Sequence, residues 1–166
     1  MDTLKYAWRP ATLSDVDAII ALTAANFSNE VDGIFQIDPW AGARNLSQAI
    51  VNQYYQPMTE LISVAVDNLD RIGAWTWAQN NHTVPWSDQR MVMVRMAHLE
   101  LALQPRDRVR LVNDMIALWE GFAQFTGTPI VCSTTMRRDQ SGFLRIHQRA
   151  GYDVRGSYAY KKLTKE

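Results

Sequence analysis

The sequence lacks the features that mark secreted, membrane and nucleic-acid-binding proteins. Its single cysteine, Cys132, cannot form an internal disulfide, which suits a reducing compartment. No apolar run is long enough to span a bilayer, and no charged start precedes an apolar segment as in a signal peptide. The 17 Lys and Arg residues balance the 17 Asp and Glu residues, so no positive excess points to nucleic acid. We therefore expect a cytoplasmic protein that binds neither membranes nor nucleic acid.

The common catalytic and metal-binding motifs are also missing from the sequence. The three histidines, His82, His98 and His147, are scattered along the chain, and Cys132 is not near any of them. This spacing does not match that of metal ligands, so the sequence predicts no metal site. There is no P-loop, no dinucleotide-binding fingerprint and no Ser-His-Asp signature. Any chemistry must therefore be read from less specific patterns.

The chain has the composition of one globular domain. It has 166 residues, of which 47% are apolar and 20% charged. Thr12 and Asp15 resemble a capping box at the start of a helix in which Val16, Ile19 and Ile20 recur at helical spacing. The first half of the chain is predicted to contain a strand over 6–11, a helix over 12–27, a loop over 28–42 broken by Gly33, Pro39 and Gly42, a helix over 43–56, strands over 61–66 and 72–79 joined by a turn, and a loop over 80–89.

The second half of the chain predicts strands that alternate with helices. A long strand, a polar turn and a helix are followed by a buried strand, a short helix closed by Gly151 and a last strand. Their predicted bounds are 90–104, 104–110, 111–125, 129–135, 141–152 and 156–163. Strand–helix–strand units imply parallel pairing, whereas the earlier hairpin implies antiparallel pairing. We predict an α/β protein with a mixed sheet and helices on both faces, in the order β α α β β β α β α β.

Four stretches in this order resemble the GNAT acyltransferases, the superfamily that moves an acyl group from coenzyme A to an amine. They are "RPATLSDVDAIIAL", Gly73 in the third strand, "LALQP" at the end of the fourth strand, and "FLRIHQRAGYDVRGSYAYKK" near the end of the chain. The resemblance covers nearly all of one domain, residues 1–166. It implies the GNAT fold, acetyl-CoA as the acyl donor and an unidentified amine, in a small molecule or a protein, as the acceptor.

The stretch "QPRDRVRLVNDM", residues 104–115, occupies the place of the family's pyrophosphate-binding loop. In the family, glycines let the phosphates approach the amides at a helix N-terminus, whose dipole favours an anion. The family pattern aligns here in two registers, but neither contains a glycine. One register places Asp107 at the family's Arg or Gln, and Arg110 and Val112 at its glycine positions. The other register places Arg108 at the Arg or Gln, and Leu111 and Asn113 at the glycine positions.

The resemblance therefore implies an unusual cofactor site. Arg106, Arg108 and Arg110 would bind the pyrophosphate together with local amides, including those of Val109 and Leu111. The alternative is a solvated basic turn with no ligand. The pantetheine arm would lie between the fourth and fifth strands, beside Leu101 to Leu103 on one side and Ser133 to Thr135 on the other.

Candidate catalytic residues also follow from the resemblance, because the family often has a base on the fourth strand. Glu100 and His98 are two residues apart there, and Glu100 is the first candidate for the base. His147 stands where the family commonly has a tyrosine acid. For each of these residues the alternative is a polar side chain with no catalytic role.

The acceptor site would be shaped by the first two helices and the loop between them. Phe35, Trp40 and Trp75 are the candidate substrate-binding residues, although large aromatics are also common core residues. The alternative function is a catalytically inactive GNAT-fold protein that binds another macromolecule, and the glycine-free turn favours it. The resemblance also allows a homodimer through edge strands.

Overall fold

The computed structural model describes residues 6–31, 34–137, 139–156 and 159–163. A 3-10 turn over Leu13–Asp15 precedes the first helix. The strands and helices, labelled in chain order, are β1 Ala7–Pro10, α1 Val16–Val31, α2 Pro39–Tyr55, β2 Glu60–Val66, β3 Ile72–Val84, β4 Ser87–Leu99, α3 Pro105–Phe125, β5 Ile130–Cys132 and α4 Ser141–Arg149.

The five strands form one mixed sheet in the order β1-β2-β3-β4-β5. The first four pair antiparallel, and β5 pairs parallel to β4 across the α3 crossover. The prediction of a mixed sheet with early antiparallel and late parallel pairing is confirmed. No helix among the described residues is both long and apolar enough to cross a membrane.

The two faces of the sheet carry separate apolar cores. On one face α3 packs on the sheet through Leu111, Met115 and Trp119, and Phe143 and Ile146 of α4 join that core. On the other face α1 and α2 pack against strand residues that include Ile62, Val64 and Trp75. The predicted helices on both faces are confirmed, because an apolar stripe on each helix must be buried against the sheet.

Three predicted boundaries were wrong because the regular structure runs further than the turn residues suggested. The predicted loop over 28–42 holds the end of α1 and the start of α2. Pro39 begins α2 as its first residue, and the carboxylate of Asp38 accepts hydrogen bonds from the amides of Trp40 and Ala41. The predicted loop over 80–89 is instead a hairpin, since β3 reaches Val84 and pairs there with Ser87.

The third wrong boundary is the polar turn at 104–110. It is helical from Pro105 onward, so α3 begins six residues before the predicted start at Leu111. Proline has a fixed φ and no amide hydrogen, which suits the first position of a helix. The strand before it is shorter than predicted, because β4 ends at Leu99 and residues 100–104 form the turn.

The predicted last strand over 156–163 is not seen as a strand in the described residues. Residues 153–156 and 159–163 have no strand pairing, and Ser157 and Tyr158 lie outside the described residues. The short helix before it is confirmed, and Gly151 ends it with a positive φ of 90°.

Asp15 ties β1 to the start of α1 and carries a testable prediction. Its buried carboxylate accepts bonds from both terminal nitrogens of Arg9, at 2.7 and 2.9 Å, and from the amide of Thr12. The Arg9 guanidinium holds the pKa of Asp15 below its ordinary value. We expect Asp15→Asn to lower the free energy of unfolding by about 2 kcal/mol in urea titrations at pH 7.

The matched control is Asp70→Asn. Asp70 also contacts Arg9, at 3.3 Å, but its side chain is 75% exposed, so a loss below about 0.5 kcal/mol is expected. Equal losses for the two variants would contradict the claim that burial and paired bonding make the Asp15 contact the strong one.

Candidate functional site

A cleft opens where β4 and β5 separate. The strands pair only between Met91–Met93 and Ile130–Cys132, and beyond Met93 the edge of β4 is no longer covered by β5. The separation leaves a cavity of about 580 Å³, closed by α3 and α4. The strand side of the cavity is formed by Val94 to Leu99, and the facing wall is formed by Thr134 to Arg137. The predicted separation of the fourth and fifth strands is therefore present, with the β4 side at 94–99 rather than 101–103.

A β-bulge in β4 decides which side chains face which side of the cleft. Trp77 pairs with Met96 while the next residue, Ala78, pairs with Val94, so Arg95 is the extra residue. The bulge shifts the alternation of the strand by one position. Before it Val94 belongs to the α3 core, and after it His98 faces α1. The cleft thus joins the two faces of the sheet.

His98 is the one predicted catalytic residue that lines this cleft. Its side chain is 2% exposed and stacks on Trp75, with ring centroids 5.7 Å apart. Nδ1 is buried without a hydrogen-bond partner among the described residues, and its nearest acid is the Oε1 of Glu30, 3.6 Å away. Burial lowers the pKa of His98, the Glu30 carboxylate opposes that shift, and the Arg137 guanidinium adds to it. A neutral imidazole at pH 7 follows.

Three residues around His98 were missed by the sequence reading. The Nε of Arg137 lies 2.8 Å from the Oε1 of Glu30, and its guanidinium also donates to the side-chain oxygen of Asn26. The amide of Asn26 in turn donates to the carbonyl of Leu99 at 3.0 Å. These contacts join α1, the end of β4 and the segment after β5. Asn26 and Glu30 leave one trace in the sequence, which is their polar character at positions that the apolar stripe of α1 would place inside, whereas Arg137 lies outside any helix or strand.

Only one of the three predicted phosphate-binding arginines faces the cleft. Pro105, Arg108 and Val109 line it, whereas Arg106 and Arg110 lie on other faces of α3. The guanidinium of Arg108 donates from Nε to the carbonyl of Leu103 at 2.9 Å, and from a terminal nitrogen to the carbonyl of Leu101.

The other predicted cofactor-binding residues of α3 are held by contacts within the protein. Arg110 lies 4.0 Å from the carboxylate of Asp107. Leu111 is fully buried in the α3 core. Since the helix begins at Pro105 and the amide of Arg108 already bonds to the carbonyl of Gln104, the amides of Val109 and Leu111 lie within the helix rather than at its unpaired start.

Two arginines of α4 add positive charge to the mouth of the same cleft. Arg145 and Arg149 are exposed and line the cavity, as does Arg95 on the bulge. The acidic residues in its wall are Glu30, which is paired with Arg137, and Asp139. The mouth is therefore net basic. The four-residue spacing of Arg145 and Arg149 is the signal that could have indicated one basic helix face.

Glu100 and His147 lie away from the cleft. Glu100 follows the end of β4, is exposed, and accepts a hydrogen bond from the amide of Ala102 at 3.3 Å. His147 is 3% exposed, its Nδ1 bonds to the carbonyl of Phe143 at 2.9 Å, and its ring packs against Trp119 and Tyr152. His147 lines a second cavity of about 740 Å³ beside β5, where Cys132 also lies.

The three candidate substrate-binding aromatics are not brought together. Trp75 is buried in the α1–α2 core and donates from Nε1 to the hydroxyl of Thr23 at 3.0 Å. Trp40 is 85% exposed on the first turn of α2. Phe35 is half exposed and contacts the ring of Tyr160. Only Trp75 approaches the cleft, through its stacking on His98.

Among the described residues, no group of three or more His, Cys, Asp or Glu side chains could hold a metal ion. The ionisable groups that line the cleft are His98, Glu30, Asp139 and the surrounding arginines.

The protein is similar in structure to known proteins but matches no known sequence family. No protein-family model matches the sequence, and no curated protein matches it. A predicted acetyltransferase from Clostridium acetobutylicum, solved with acetyl-CoA, superposes with a TM-score of 0.72 at 13% identity, over 96% of this chain and 97% of that chain.

Two further solved structures agree with this result. The aminoglycoside antibiotic 6'-N-acetyltransferase AAC(6')-Ih from Acinetobacter baumannii gives a TM-score of 0.69 at 13% identity, over 98% of this chain and 100% of that chain. Glucosamine-6-phosphate N-acetyltransferase from Arabidopsis thaliana gives 0.68 at 10% identity, over 96% and 99%. At such low identity the likeness is one of fold, and over nearly its whole length this chain has the GNAT fold of the N-acetyltransferases.

Proposed function

We propose that this protein is an N-acyltransferase that uses acyl-CoA, with acetyl-CoA as the first donor to test. The observation that carries the proposal is the cleft between β4 and the segment after β5, with a buried, neutral histidine in its wall. The similar structure from Clostridium acetobutylicum was solved with acetyl-CoA. The fold alone would not justify an activity.

The cleft fits the pantetheine arm of a coenzyme A thioester. Its strand wall is an edge of β4 that, among the described residues, no neighbouring strand covers beyond Met93, so backbone groups there can pair with an extended amide-bearing arm. The other walls include apolar side chains from α3 and α4, namely Val112, Met115, Phe143 and Ile146. Such a slot can exclude water from the thioester while leaving the polar end of the ligand at the basic mouth.

The phosphates would be held by a different set of residues from the one that the family pattern uses. Arg145 and Arg149 of α4 and Arg108 of α3 line the cleft, and their guanidiniums can make charge-assisted bonds to phosphate oxygens. The N-cap of α3, Gln104, makes no side-chain hydrogen bond to the first turn. The amides of that turn are therefore not capped by their own N-cap side chain.

His98 is the base in this proposal. Bound acyl-CoA would supply the acyl group as a thioester. An amine acceptor attacks only after its ammonium loses a proton, and the lowered pKa of His98 keeps its imidazole unprotonated and able to accept one. The neutral amine would form a C–N bond to the acyl carbon as the C–S bond breaks, and coenzyme A would leave as a thiolate that takes up the proton from the His98 imidazolium or from solvent. Glu100 and His147 have no role in this proposal because neither lines the cleft. Their assignments as base and acid stay predictions of the family resemblance.

The acceptor is proposed to be a small-molecule amine. The similar structures from Arabidopsis thaliana and Acinetobacter baumannii are acetyltransferases of glucosamine-6-phosphate and of an aminoglycoside antibiotic. The end of the cleft near His98 is walled by Glu30 and Arg137, which offer both signs of charge to such a molecule.

A second candidate function has an observation of its own. The segment that would cradle the pyrophosphate is a regular helix, and the fully buried Leu111 stands in one register where the family has glycine. This arrangement favours a GNAT-fold protein that no longer binds the cofactor and engages another macromolecule instead. The two functions differ in one measurable property, the affinity for coenzyme A.

Calorimetric titration with acetyl-CoA and with coenzyme A tests the proposal. We expect micromolar binding that weakens with added salt, because the phosphates meet guanidinium groups at an exposed mouth. The double variant Arg145→Glu/Arg149→Glu should weaken binding about tenfold or more. The same charge reversal at the exposed Arg44 of α2 controls for general electrostatics. No detectable binding at millimolar ligand would refute the enzyme and favour the binding protein.

A further inference from the structure

The face of α1 that packs on the sheet changes character along its length. Its first half buries Val16 and Ile19, as expected for a helix packed on a sheet. Its second half continues the same stripe with Thr23, Asn26 and Glu30, all of them polar. Burying polar groups costs free energy unless each is bonded, so a run of three needs an explanation beyond packing.

Each of these three polar residues has a defined partner across the cleft end. Thr23 accepts the indole N–H of Trp75, the residue on which His98 stacks. Asn26 bonds to the carbonyl of Leu99, directly after His98 in the chain. Glu30 directs Oε1 toward Nδ1 of His98 at 3.6 Å. The stripe therefore bonds to Trp75 and Leu99, the two neighbours of His98 in space and in the chain, and places a carboxylate beside the His98 ring.

Glu30 lies beside Nδ1 of His98, and the His98 side chain lines the cleft. A carboxylate oxygen can only accept a hydrogen bond, so a lone pair on Nδ1 would be repelled by it and a proton on Nδ1 would be attracted. The same Oε1 accepts the Nε–H of Arg137 at 2.8 Å, which holds the carboxylate in place. A proton on Nδ1 puts the lone pair of neutral His98 on Nε2.

We infer that Glu30, held by Arg137, is a positioning residue that sets His98 in the Nδ1–H tautomer and so makes Nε2 the proton acceptor. The consequence for catalysis rests on the proposed acyltransferase function, whereas the tautomer itself does not. Glu30 and Arg137 act in opposite directions on the charge state of His98, because one favours the imidazolium and the other disfavours it. The pair therefore holds the ring in one tautomer without keeping it protonated.

The first test reads the tautomer directly and needs no activity. In two-bond ¹H–¹⁵N correlation spectra of the whole protein above pH 7, we expect His98 to carry its proton on Nδ1. The Nε2–H tautomer, which free imidazole side chains prefer in water, would overturn the inference. In Glu30→Met the carboxylate beside Nδ1 is gone, so the Nε2–H form should appear. If Glu30→Met keeps the Nδ1–H form unchanged, Glu30 does not select the tautomer.

The variants also separate positioning from simple stability. Glu30→Met leaves Arg137 without its buried partner, so the double variant Glu30→Met/Arg137→Met, which removes both charges, serves if the single variant does not fold. NMR titration of His98 should give a lower pKa in Glu30→Met and a higher pKa in Arg137→Met than in the parent protein, since each charge acts with a known sign. Shifts in the same direction for both variants would contradict the opposed roles.

Activity gives the last readout. If the acyltransferase is active, Glu30→Met should lower kcat about 10- to 100-fold with little change in the KM for acyl-CoA, and Glu30→Asp should restore part of it. Equal loss of kcat and of acyl-CoA affinity would indicate a damaged cleft and overturn the positioning role. An inactive parent protein with the Nδ1–H tautomer would refute the proposed function and leave the tautomer assignment standing.

Discussion

His98→Gln is expected to lower the turnover of acyl transfer by about 10²- to 10⁴-fold while leaving acyl-CoA affinity within about threefold of the parent value. Glutamine fills much of the space of the imidazole and keeps hydrogen-bonding atoms, but it cannot take a proton near neutral pH. His98 lies in the cleft wall beside Glu30 of α1, whereas Arg145 and Arg149 belong to α4. Steady-state kinetics combined with calorimetric titration would measure the two effects separately.

The remaining histidines and Glu100 provide the comparisons for this result. His82 pairs with Met91 on the hairpin and does not line the cleft, so His82→Gln is the matched substitution and should keep full activity. Glu100→Gln tests the base that the sequence favoured. Loss of turnover in Glu100→Gln, together with an active His98→Gln, would assign the base to Glu100 instead.

The free energy of unfolding is expected to fall by up to about 2 kcal/mol between pH 6.5 and 5.5, with a much smaller change between pH 7.5 and 6.5. Burial lowers the pKa of both His98 and His147 from the ordinary 6.5 in the folded protein. The unfolded chain therefore binds these protons first as the pH falls. Protonation favours unfolding in this window, and each histidine contributes at most about 1.4 kcal/mol per pH unit.

Urea unfolding at pH 7.5, 6.5 and 5.5 measures this dependence, and one substitution identifies the part of the stability loss that comes from His147. His147→Phe removes a titrating ring from a pocket formed by Trp119, Phe143 and Tyr152, which suits an aromatic side chain. The loss between pH 6.5 and 5.5 should then be about halved. The lowered pKa of Asp15 affects stability only below its ordinary 3.8 and does not enter this range. An unchanged slope in His147→Phe would show that its ring is not held neutral by burial.

Much of the fold could be predicted because apolar periodicity is a local property. The apolar residues Val16, Ile19 and Ile20 predicted the first helix, and the capping pair Thr12 and Asp15 predicted its start. The errors lie where a residue has two common uses. Proline in a sequence often indicates a break or a turn, yet Pro39 and Pro105 each begin a helix.

The candidate site was predicted less well, because its residues are related by geometry rather than by spacing. Arg106, Arg108 and Arg110 are close in sequence, but a helix turns about 100° per residue and only Arg108 faces the cleft. Conversely Glu30 and Arg137 are 107 positions apart and lie 2.8 Å from each other. No local pattern contains such a pair.

The order of the elements through α4 and the mixed sheet could be predicted from periodicity and turn residues along the chain, and the resemblance to the GNAT acyltransferases rests on four particular stretches of it. What "QPRDRVRLVNDM" becomes and which histidine faces the cleft depend on the tertiary structure. The stretch is a helix start rather than a loop, and one bulged residue, Arg95, turns His98 toward Glu30. Both outcomes depend on how β4 pairs and ends, and strand register is set by the neighbouring strands rather than by the residues of the strand alone.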